Sequence, residues 1–304
     1  MSISVIESDK PEAAAEILRR DGYVIVSGVI LTAEVQAAKV RLRYIAKHAK
    51  FYAQFDVHFV PGKNPPRSDD PLHQFDQISH VLWRDRELWE RILVHPNMIR
   101  VASAIVGDSF NVINAGIFVK RPGDGSAVPW HQDTATWGVP PGAWGPDDAP
   151  KIFDYWLALD HATEENGYLQ LLPGSHLQGV VPHTDGGGLL HEADPGKFGF
   201  DLANAIGCKT APGDLVVWHP DLFHGSDTNR SALPRLAAAG TFIAFDEAPR
   251  LKKYLPQLQT LERLPAVVDG RPCALPNPIP ARASRLLTFR RGLRKRIRQL
   301  LSRR

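Results

Sequence analysis

The stretch APGDLVVWHPDLFHGS (residues 211–226) joins a tight turn to a short apolar strand and then to a histidine. Pro212-Gly213-Asp214 has the composition of a turn, and the apolar residues that follow it have the length of a strand. Similar runs, separated by Gly, Pro, Asp and Asn, recur between Phe110 and Phe245. They are Asn111 to Val119, Phe153 to Leu159, Tyr168 to Leu172, Leu215 to Trp218 and Ala237 to Phe245. This pattern predicts an antiparallel barrel or sandwich.

The first third of the chain has a different, mainly helical pattern. Helices are predicted over Pro11 to Arg20, Thr32 to about Lys50 and Asp85 to Val106, with a strand at Tyr23 to Val26 and a loop at residues 61–71. Helices first and strands afterwards predict an α+β fold, in which helices (about 1–108) buttress one face of a double-sheet roll (about 109–248). Loops at 121–151 and 183–207 are expected to carry substrate contacts.

The charge distribution argues against a nucleic-acid enzyme. The chain of 304 residues has a formal net charge of +3, but residues 281–304 hold nine arginines, one lysine and no acid. Without these ten positive charges, residues 1–280 carry −7. A groove that follows phosphates would need its basic residues on the catalytic body itself.

The two cysteines, Cys208 and Cys273, are too few for a disulfide framework and lack a Cys-x-x-Cys spacing. The N-terminus lacks a basic region leading into an apolar stretch, so no signal peptide is expected, and no apolar run is long enough to span a membrane. These features predict a cytoplasmic protein with a single catalytic domain over residues 1–280.

A first pair of candidate metal ligands lies in Trp130-His131-Gln132-Asp133. On an extended segment, residues two apart point the same way, so His131 and Asp133 can present an imidazole and a carboxylate to one point. Alone the pair is weak, because His-x-Asp occurs by chance in many solvated loops.

A third ligand is expected from the stretch that opens this section. His224 follows the apolar strand and would complete two histidines and one carboxylate on one face of a metal. Three coordination positions would then stay open, whereas a structural zinc site would be closed by four protein ligands. His219 competes for this role, but it lies within the strand run and precedes Pro220. His224 is the favoured ligand.

A candidate anion-binding residue, Arg235, comes eleven residues after His224. A guanidinium on the next strand, at the inner end of a pocket, can bind a carboxylate through two parallel hydrogen bonds. Arg230 is the alternative, but it lies in a polar turn where a solvated arginine is the simpler explanation.

These residues resemble the phytanoyl-CoA dioxygenase-like (PhyH) family of Fe(II)/2-oxoglutarate oxygenases. The resemblance runs from about Asp21 to Phe245 and rests on the order and spacing of several motifs. They are Asp-Gly-Tyr-Val-Ile, Trp-His-Gln-Asp, Asn166-Gly-Tyr-Leu running into Leu172-Pro-Gly-Ser-His176, Pro-Gly-Asp-Leu before His-Gly-Ser, and Asn-Arg-Ser.

The resemblance implies a double-stranded β-helix (a jelly-roll, cupin-like core) and the cofactors Fe(II), 2-oxoglutarate and O₂. It implies that His131, Asp133 and His224 bind iron and that Arg235 and Ser226 bind 2-oxoglutarate. Gln132 and Trp156 are matched to the lining of the cosubstrate pocket. His176 and Asn166-Gly167 are better explained by structure, while Trp130, Trp137 and Lys120 are further candidates for the cleft.

The expected reaction is oxidation, foremost hydroxylation, of an unactivated C–H in a small metabolite, such as a natural-product intermediate, with release of succinate and CO₂. Desaturation, epimerisation or rearrangement would need the same ligands. Asp133 excludes the related halogenases, which lose this carboxylate. A zinc hydrolase would leave Arg235 and Ser226 without a role, and a non-catalytic binding protein would be expected to have lost a ligand.

The basic stretch from 281 to 304 places Leu286, Phe289, Leu293, Ile297 and Leu300 at helical spacing among arginines. It is predicted to form a helix that packs on the body or on a second subunit of a homodimer. Contact with an anionic membrane surface is the alternative. The expected partner of the site is a small-molecule substrate.

Overall fold

The computed structural model describes residues 3–65, 68–123, 127–145, 149, 151–185, 191–254, 265–275 and 278–279. Its α-helices are α1 (Ala14–Asp21), α2 (Thr32–Lys47), α3 (Ala49–Tyr52), α4 (Val81–Arg84), α5 (Arg86–Leu88), α6 (Pro96–Val106), α7 (Asp133–Thr136) and α8 (Ala248–Leu251). A π-helical turn, Trp89–Leu93, joins α5 to α6. Pro96 begins α6 and Gly107, at φ 94°, ends it. No helix in these ranges is long and apolar enough to cross a membrane.

The strands of the described residues are short, apart from β5 and β14. They are β1 (Val5–Glu7), β2 (Tyr23–Ser27), β3 (His58–Pro61), β4 (Phe75–Ser79), β5 (Phe110–Lys120), β6 (Val128–His131), β7 (Ile152–Ala158), β8 (Gln170–Leu171), β9 (Thr184–Asp185), β10 (His191–Glu192), β11 (Ile206–Gly207), β12 (Leu215–Trp218), β13 (His224–Ser226), β14 (Arg235–Ala244), β15 (Pro265–Val268) and β16 (Arg271–Pro272).

Two sheets form the core. The main sheet has the strand order β1-β2-β12-β7-β14-β5-β15-β16, and β4, with β3 beside it, also pairs with β5. Apart from β1 and β2, its neighbouring strands are antiparallel. A smaller antiparallel sheet has the order β11-β8-β13-β6, and β9 pairs with β10.

Alternate residues of the main sheet pack into two different clusters. In β12, Leu215 and Val217 face the helices, whereas Val216 and Trp218 face the smaller sheet. In the neighbouring β7, Tyr155 and the residues in phase with it likewise pack against the helices. Because both faces are covered, the strands are continuously apolar rather than alternating with polar residues. The space between the two sheets holds the pocket described below.

The structure confirms a sheet-rich core with helices on one face, and it corrects two details of the sequence prediction. The first third also supplies β3 and β4, whose polar residues hid them among loop signals. The predicted loop 183–207 contains β9, β10, β11 and two 3₁₀ turns, Pro195–Phe198 and Leu202–Asn204. The predicted C-terminal helix over 281–304 lies outside the described residues.

Candidate active site

His131 and Asp133 lie where the smaller sheet ends. His131 is the last residue of β6, and Asp133 is the first residue of the short helix α7. The intervening Gln132 is extended, at φ −116° and ψ 130°, so the side chains on either side of it point in similar directions. The predicted convergence of His131 and Asp133 is present.

His224 reaches the same point from the neighbouring strand. It begins β13, and its Cα is paired with that of His131 in the antiparallel register of β6 and β13. The two imidazole ring centroids are 4.1 Å apart. The Nε2 atom of His224 lies 3.2 Å from Oδ2 of Asp133, and Nε2 of His131 lies 3.7 Å from Oδ1. One donor atom from each residue lies within 4.8 Å of the others.

The hydrogen bonds of both histidines leave Nε2 available to a metal. Nδ1 of His131 is 2.8 Å from the carbonyl oxygen of Pro129, and Nδ1 of His224 is 2.9 Å from that of Leu222. A carbonyl oxygen only accepts, so each Nδ1 carries the hydrogen and each Nε2 keeps its lone pair. This donor set fits an iron ion bound by two imidazoles and one carboxylate.

Electrostatics favour the ligand forms of these side chains. Burial lowers the pKa of His131, and the neighbouring His224 lowers it further, so the imidazole is neutral. Burial alone would raise the pKa of Asp133, but His224 and His131 hold that pKa well below its usual range. The neutral ring and the ionised carboxylate are the states that bind a divalent cation.

His219, the competing ligand, lies elsewhere. Its ring packs against those of His176 and Phe153, with centroids 5.5 Å and 5.8 Å away. Its Nδ1 accepts a hydrogen bond from the backbone N–H of Asp221 at 3.1 Å. His176, predicted to be structural, is bonded to the carbonyl oxygen of Arg19 at 3.2 Å. Neither histidine belongs to the cluster of metal-ligand atoms.

A second cluster of potential ligands, Asp56, His58 and His80, lies at the surface. The Nη2 atom of Arg84 is 2.6 Å from Oδ2 of Asp56. A guanidinium at this distance already neutralises the carboxylate and would repel a cation. The buried cluster is therefore the stronger metal site of the described residues.

Arg235 lies at the other end of the pocket, at the start of β14. It is 5% exposed, its Nη1 donates to the carbonyl oxygen of Gly167, and its Nε has no hydrogen-bond partner. The guanidinium carbon lies 5.2 Å from the centroid of the Trp156 ring. A buried guanidinium with an unused donor is suited to an anionic ligand. Arg230, in contrast, is exposed in its turn.

Lys120 provides a second cation beside Arg235. The two residues are paired across β5 and β14, and Lys120 Nζ donates to Oγ of Ser226 at 2.7 Å and to the carbonyl oxygen of Asp227. Burial, and then the charge of Arg235, lower the pKa of Lys120 to about 7. Arg235, Ser226 and Trp156, all predicted from the sequence, therefore lie together with Lys120.

Gln132 is an exception, because its side chain does not reach the pocket. Its amide nitrogen donates to the carbonyl oxygens of Gly179 at 2.9 Å and Asp221 at 2.6 Å, and its amide oxygen accepts from Val181 N–H at 2.8 Å. Every alternate residue of an extended strand points to the other side, so the neighbours of Gln132 face the pocket and Gln132 faces the loops. The expectation that Gln132 lines the cosubstrate pocket is wrong.

The cavity between the sheets has a volume of about 210 Å³. Besides the residues already described, it is lined by Asn114, Phe118, Trp137, Asp154 and Thr241. Of the expected substrate loops, 121–151 contributes to the lining, whereas the described part of 183–207 does not. Trp137 is confirmed at the cavity, while Trp130 packs beside Phe223 in a separate cluster.

Sequence reasoning missed Asp154, a lone acid in the apolar run of β7. It is 4% exposed, and its Oδ1 accepts a hydrogen bond from Thr241 Oγ1 at 2.5 Å. Burial raises its pKa well above the usual range, and the adjacent Asp133 raises it further. A carboxylate interrupting an otherwise apolar strand was the available signal, because such a group is costly to bury without a purpose.

Comparison with known proteins identifies the chemistry of this arrangement. A family model described as phytanoyl-CoA dioxygenase (PhyH) matches residues 18–237. The chain belongs to the phytanoyl-CoA dioxygenase family. It is accordingly a non-haem iron dioxygenase dependent on 2-oxoglutarate. Its cofactor is Fe(II), and its cosubstrates are 2-oxoglutarate and O₂.

Its relatives include enzymes of small-molecule metabolism. The L-proline trans-4-hydroxylase of Streptomyces griseoviridis is 25% identical over 264 residues, which cover 82% of this chain and 92% of that enzyme. The ectoine dioxygenase of Bordetella bronchiseptica is 25% identical over 239 residues, covering 75% of this chain and 72% of the other.

Solved structures share the fold. EctD from S. alaskensis, determined with 2-oxoglutarate and 5-hydroxyectoine, has a TM-score of 0.58 at 20% identity, over 76% of this chain and 75% of that chain. The epimerase SnoN from nogalamycin biosynthesis has a TM-score of 0.51 at 19% identity, over 77% and 83% of the two chains.

Proposed function

We propose that this family member oxidises an unactivated C–H bond of a small metabolite, with hydroxylation as the outcome. His131, Asp133 and His224 hold Fe(II), and Arg235 binds 2-oxoglutarate. The observation that supports this proposal is the position of two free Nε2 atoms and one carboxylate at one point, with a buried, incompletely bonded guanidinium in the same cavity. The two mainly antiparallel sheets that enclose them support a double-stranded β-helix as the core of this proposal.

When bound, iron with 2-oxoglutarate and O₂ supplies an oxidant strong enough for unactivated C–H bonds, while 2-oxoglutarate becomes succinate and CO₂. His131, Asp133 and His224 would supply three ligands to the iron, and further coordination positions would then be open to 2-oxoglutarate and O₂. The apolar residues of the cavity wall, among them Phe118, Trp137 and Leu169, would keep water away from a bound substrate.

The polar residues of the inner end orient the cosubstrate. Arg235, whose Nε has no partner while Nη1 donates to Gly167, would bind the distal carboxylate of 2-oxoglutarate, and the Trp156 ring lies 5.2 Å from its guanidinium carbon. Ser226 adds a hydroxyl, and Lys120 holds Ser226 through its 2.7 Å bond. Two cations at this end favour a dianionic ligand over a neutral one.

Relatives that act on small molecules support the substrate class, since one is named for L-proline and another for ectoine. A neighbour in fold is an epimerase of natural-product biosynthesis, so desaturation, epimerisation and rearrangement remain alternatives for the same ligands. A place in natural-product biosynthesis is our proposal for this chain as well.

The testing experiment is an anaerobic titration of apoprotein with Fe(II) and then 2-oxoglutarate, followed by the weak visible charge-transfer band of the chelate. Arg235→Ala is expected to need about a hundredfold more 2-oxoglutarate, since an ionic partner of a buried carboxylate is lost. Arg230→Ala, an exposed matched control, is expected to behave like the wild type. If no band forms in the wild type while Zn²⁺ binds tightly, a zinc hydrolase replaces the oxygenase proposal.

A further inference from the structure

A half-buried histidine outside the ligand set, His183, contacts both chain segments that carry the ligands. Its Nε2 atom accepts a hydrogen bond from the backbone N–H of Gln132 at 2.9 Å, and Gln132 lies between the first two ligands. The His183 ring also stacks on that of Phe223, with centroids 6.1 Å apart and planes inclined by 17°. Since Phe223 directly precedes His224, His183 touches the chain next to all three ligands.

The bond to Gln132 belongs to a closed cycle of three hydrogen bonds. Nδ1 of His183 lies 2.8 Å from the carbonyl oxygen of Val181 and donates to it, because that oxygen can only accept. Nε2 then carries the lone pair that receives the N–H of Gln132. The backbone N–H of Val181 donates in turn to Oε1 of Gln132 at 2.8 Å. The backbone and the side chain of Gln132 are therefore bonded to the same short segment, residues 181–183.

His183 uses the same tautomer as the two ligand histidines for a different purpose. In all three residues, Nδ1 is bonded to the carbonyl oxygen two positions earlier in the chain. The Nε2 atoms of His131 and His224 face Asp133, whereas Nε2 of His183 is occupied by a backbone N–H. His183 is thus no fourth ligand. It acts on the ligands through the chain that bears them.

The peptide unit that His183 holds sets the directions of two ligand side chains. Gln132 is extended, at φ −116° and ψ 130°, and residues on either side of an extended residue point the same way. A turn of this unit would move Oδ1 of Asp133 away from Nε2 of His131, which now lies 3.7 Å from it. Downstream, Thr134 Oγ1 donates to Oδ1 of Asp221 at 2.6 Å. His183 therefore restrains the segment at the point that this second bond leaves free to turn.

We propose that His183 is a positioning residue for the iron centre, which keeps the backbone between His131 and Asp133 in its metal-binding conformation. The inference rests on the proposed function, because it takes these two residues and His224 as the ligands. Loss of a hydrogen-bond partner behind a metal site typically weakens metal binding about 10- to 100-fold. His183 is bonded to backbone rather than to a ligand side chain, so an effect of about tenfold is expected.

The test is a titration of the apoprotein with Co(II), whose visible absorption reports the arrangement of its ligands and requires no turnover. Three variants separate the acceptor from the ring. His183→Gln keeps an acceptor at a similar distance from the backbone, His183→Phe keeps an aromatic ring without an acceptor, and His183→Ala has neither. His191→Ala replaces an exposed histidine of β10 and is the matched control. Urea unfolding of each metal-free protein measures stability separately.

His183→Phe and His183→Ala are expected to bind Co(II) about tenfold more weakly and with an altered absorption band. His183→Gln and His191→Ala should bind and absorb like the wild type. A histidine that only anchored its loop would lower the unfolding free energy of His183→Phe and leave Co(II) affinity and absorption unchanged, which would overturn the inference. Equal losses of affinity in His183→Gln and His183→Ala would also overturn it, since the acceptor would not be the cause. If His183→Phe does not fold, the comparison of His183→Gln with His183→Ala decides.

Failure of the proposed function would give a different pattern. If His224→Ala bound Co(II) as tightly as the wild type, the ligand assignment would be refuted, and this inference with it. If Co(II) binding were lost in His224→Ala but unchanged in every His183 variant, the ligand assignment would stand and the inference alone would be refuted.

Discussion

His131 and His224 occupy paired positions in β6 and β13, and each ring donates Nδ1–H to a carbonyl oxygen two residues earlier in its own chain segment. The same local hydrogen bond therefore fixes both rings in the same tautomer. Their Nε2 atoms both face Asp133, which supplies the negative charge that two neutral rings lack. The backbone thus prepares the metal-binding form before a metal arrives.

Replacement of His224 should remove iron binding, whereas replacement of His219 should not. His224→Ala is expected to abolish the chelate band, because only two of the three ligands, His131 and Asp133, would remain to hold iron. His219→Asn retains an acceptor for Asp221 N–H and should form the band with normal intensity. Iron content after gel filtration gives a second measure, and a His219 variant that lost its iron would contradict the assignment.

Asp133→Ala and Asp133→Gly should each abolish native oxidation. Without the carboxylate the two neutral imidazoles carry no charge to hold Fe(II), and a coordination position opens to solvent ions. Substrate-dependent succinate release and product mass would be measured. The control is Asp201→Asn, an exposed cap in a segment away from the cavity, which should retain wild-type turnover. Turnover by either Asp133 variant at the wild-type rate would exclude Asp133 as a ligand.

Gln132→Ala should reduce stability without weakening 2-oxoglutarate binding. The substitution leaves three buried backbone groups without a partner, which is expected to cost about 3 kcal/mol or more of unfolding free energy. Gln170→Ala, which loses one exposed bond to Asp227, should cost less than about 1 kcal/mol. Urea unfolding and the chelate titration measure the two effects. A large loss of 2-oxoglutarate affinity at unchanged stability would show that Gln132 contacts 2-oxoglutarate after all.

Acid should destabilise the protein partly through His219. Burial, and then the neighbouring His176, lower the pKa of His219 to about 3, below the value of about 6.5 expected in the unfolded chain. Between these values the unfolded chain binds the extra proton, so the unfolding free energy falls as the pH falls. From pH 7.5 to 5 this amounts to about 2 kcal/mol. In urea unfolding, His219→Asn should lose about 2 kcal/mol less unfolding free energy than the wild type between pH 7.5 and 5. An equal loss in the two proteins would show that His219 is not responsible.

The strands β2, β5, β7, β12 and β14 of the main sheet and β8 of the smaller sheet could be predicted because their residues form apolar runs, whereas β6, β11 and β13 of the smaller sheet lack such runs and were not predicted. Leu215–Trp218 was predicted with its observed limits, since Pro212-Gly213 precedes it and Pro220 follows it. β3 and β4 could not be predicted in the same way. They contain His58, Asp76 and Gln77, and their strand form depends on pairing with each other and with β5 rather than on local preference.

At the site, strand periodicity and chain order predicted that His131, Asp133 and His224 converge and that Arg235 lies in the same cavity, whereas their roles were taken from the family resemblance. The prediction for Gln132 failed. The family motif suggested that Gln132 lines the pocket, but strand periodicity turns its side chain to the opposite face from His131 and Asp133. Asp154 was missed for another reason. Its position opposite Thr241 and beside Asp133 arises from strands far apart in sequence, and no local pattern records it.

The pairing of β6 with β13 also has a consequence for how the protein acquires its metal. His131 and Asp133 precede His224 by about 90 residues, so a growing or truncated chain that ends before β13 has two of the three donors and no enclosed site. Iron can be captured firmly only after this long-range contact has formed, and the bound ion then stabilises it. Metal retention is thus a readout of whether β6 and β13 have paired within the smaller sheet, and release of the ion should accompany any opening of that strand pair.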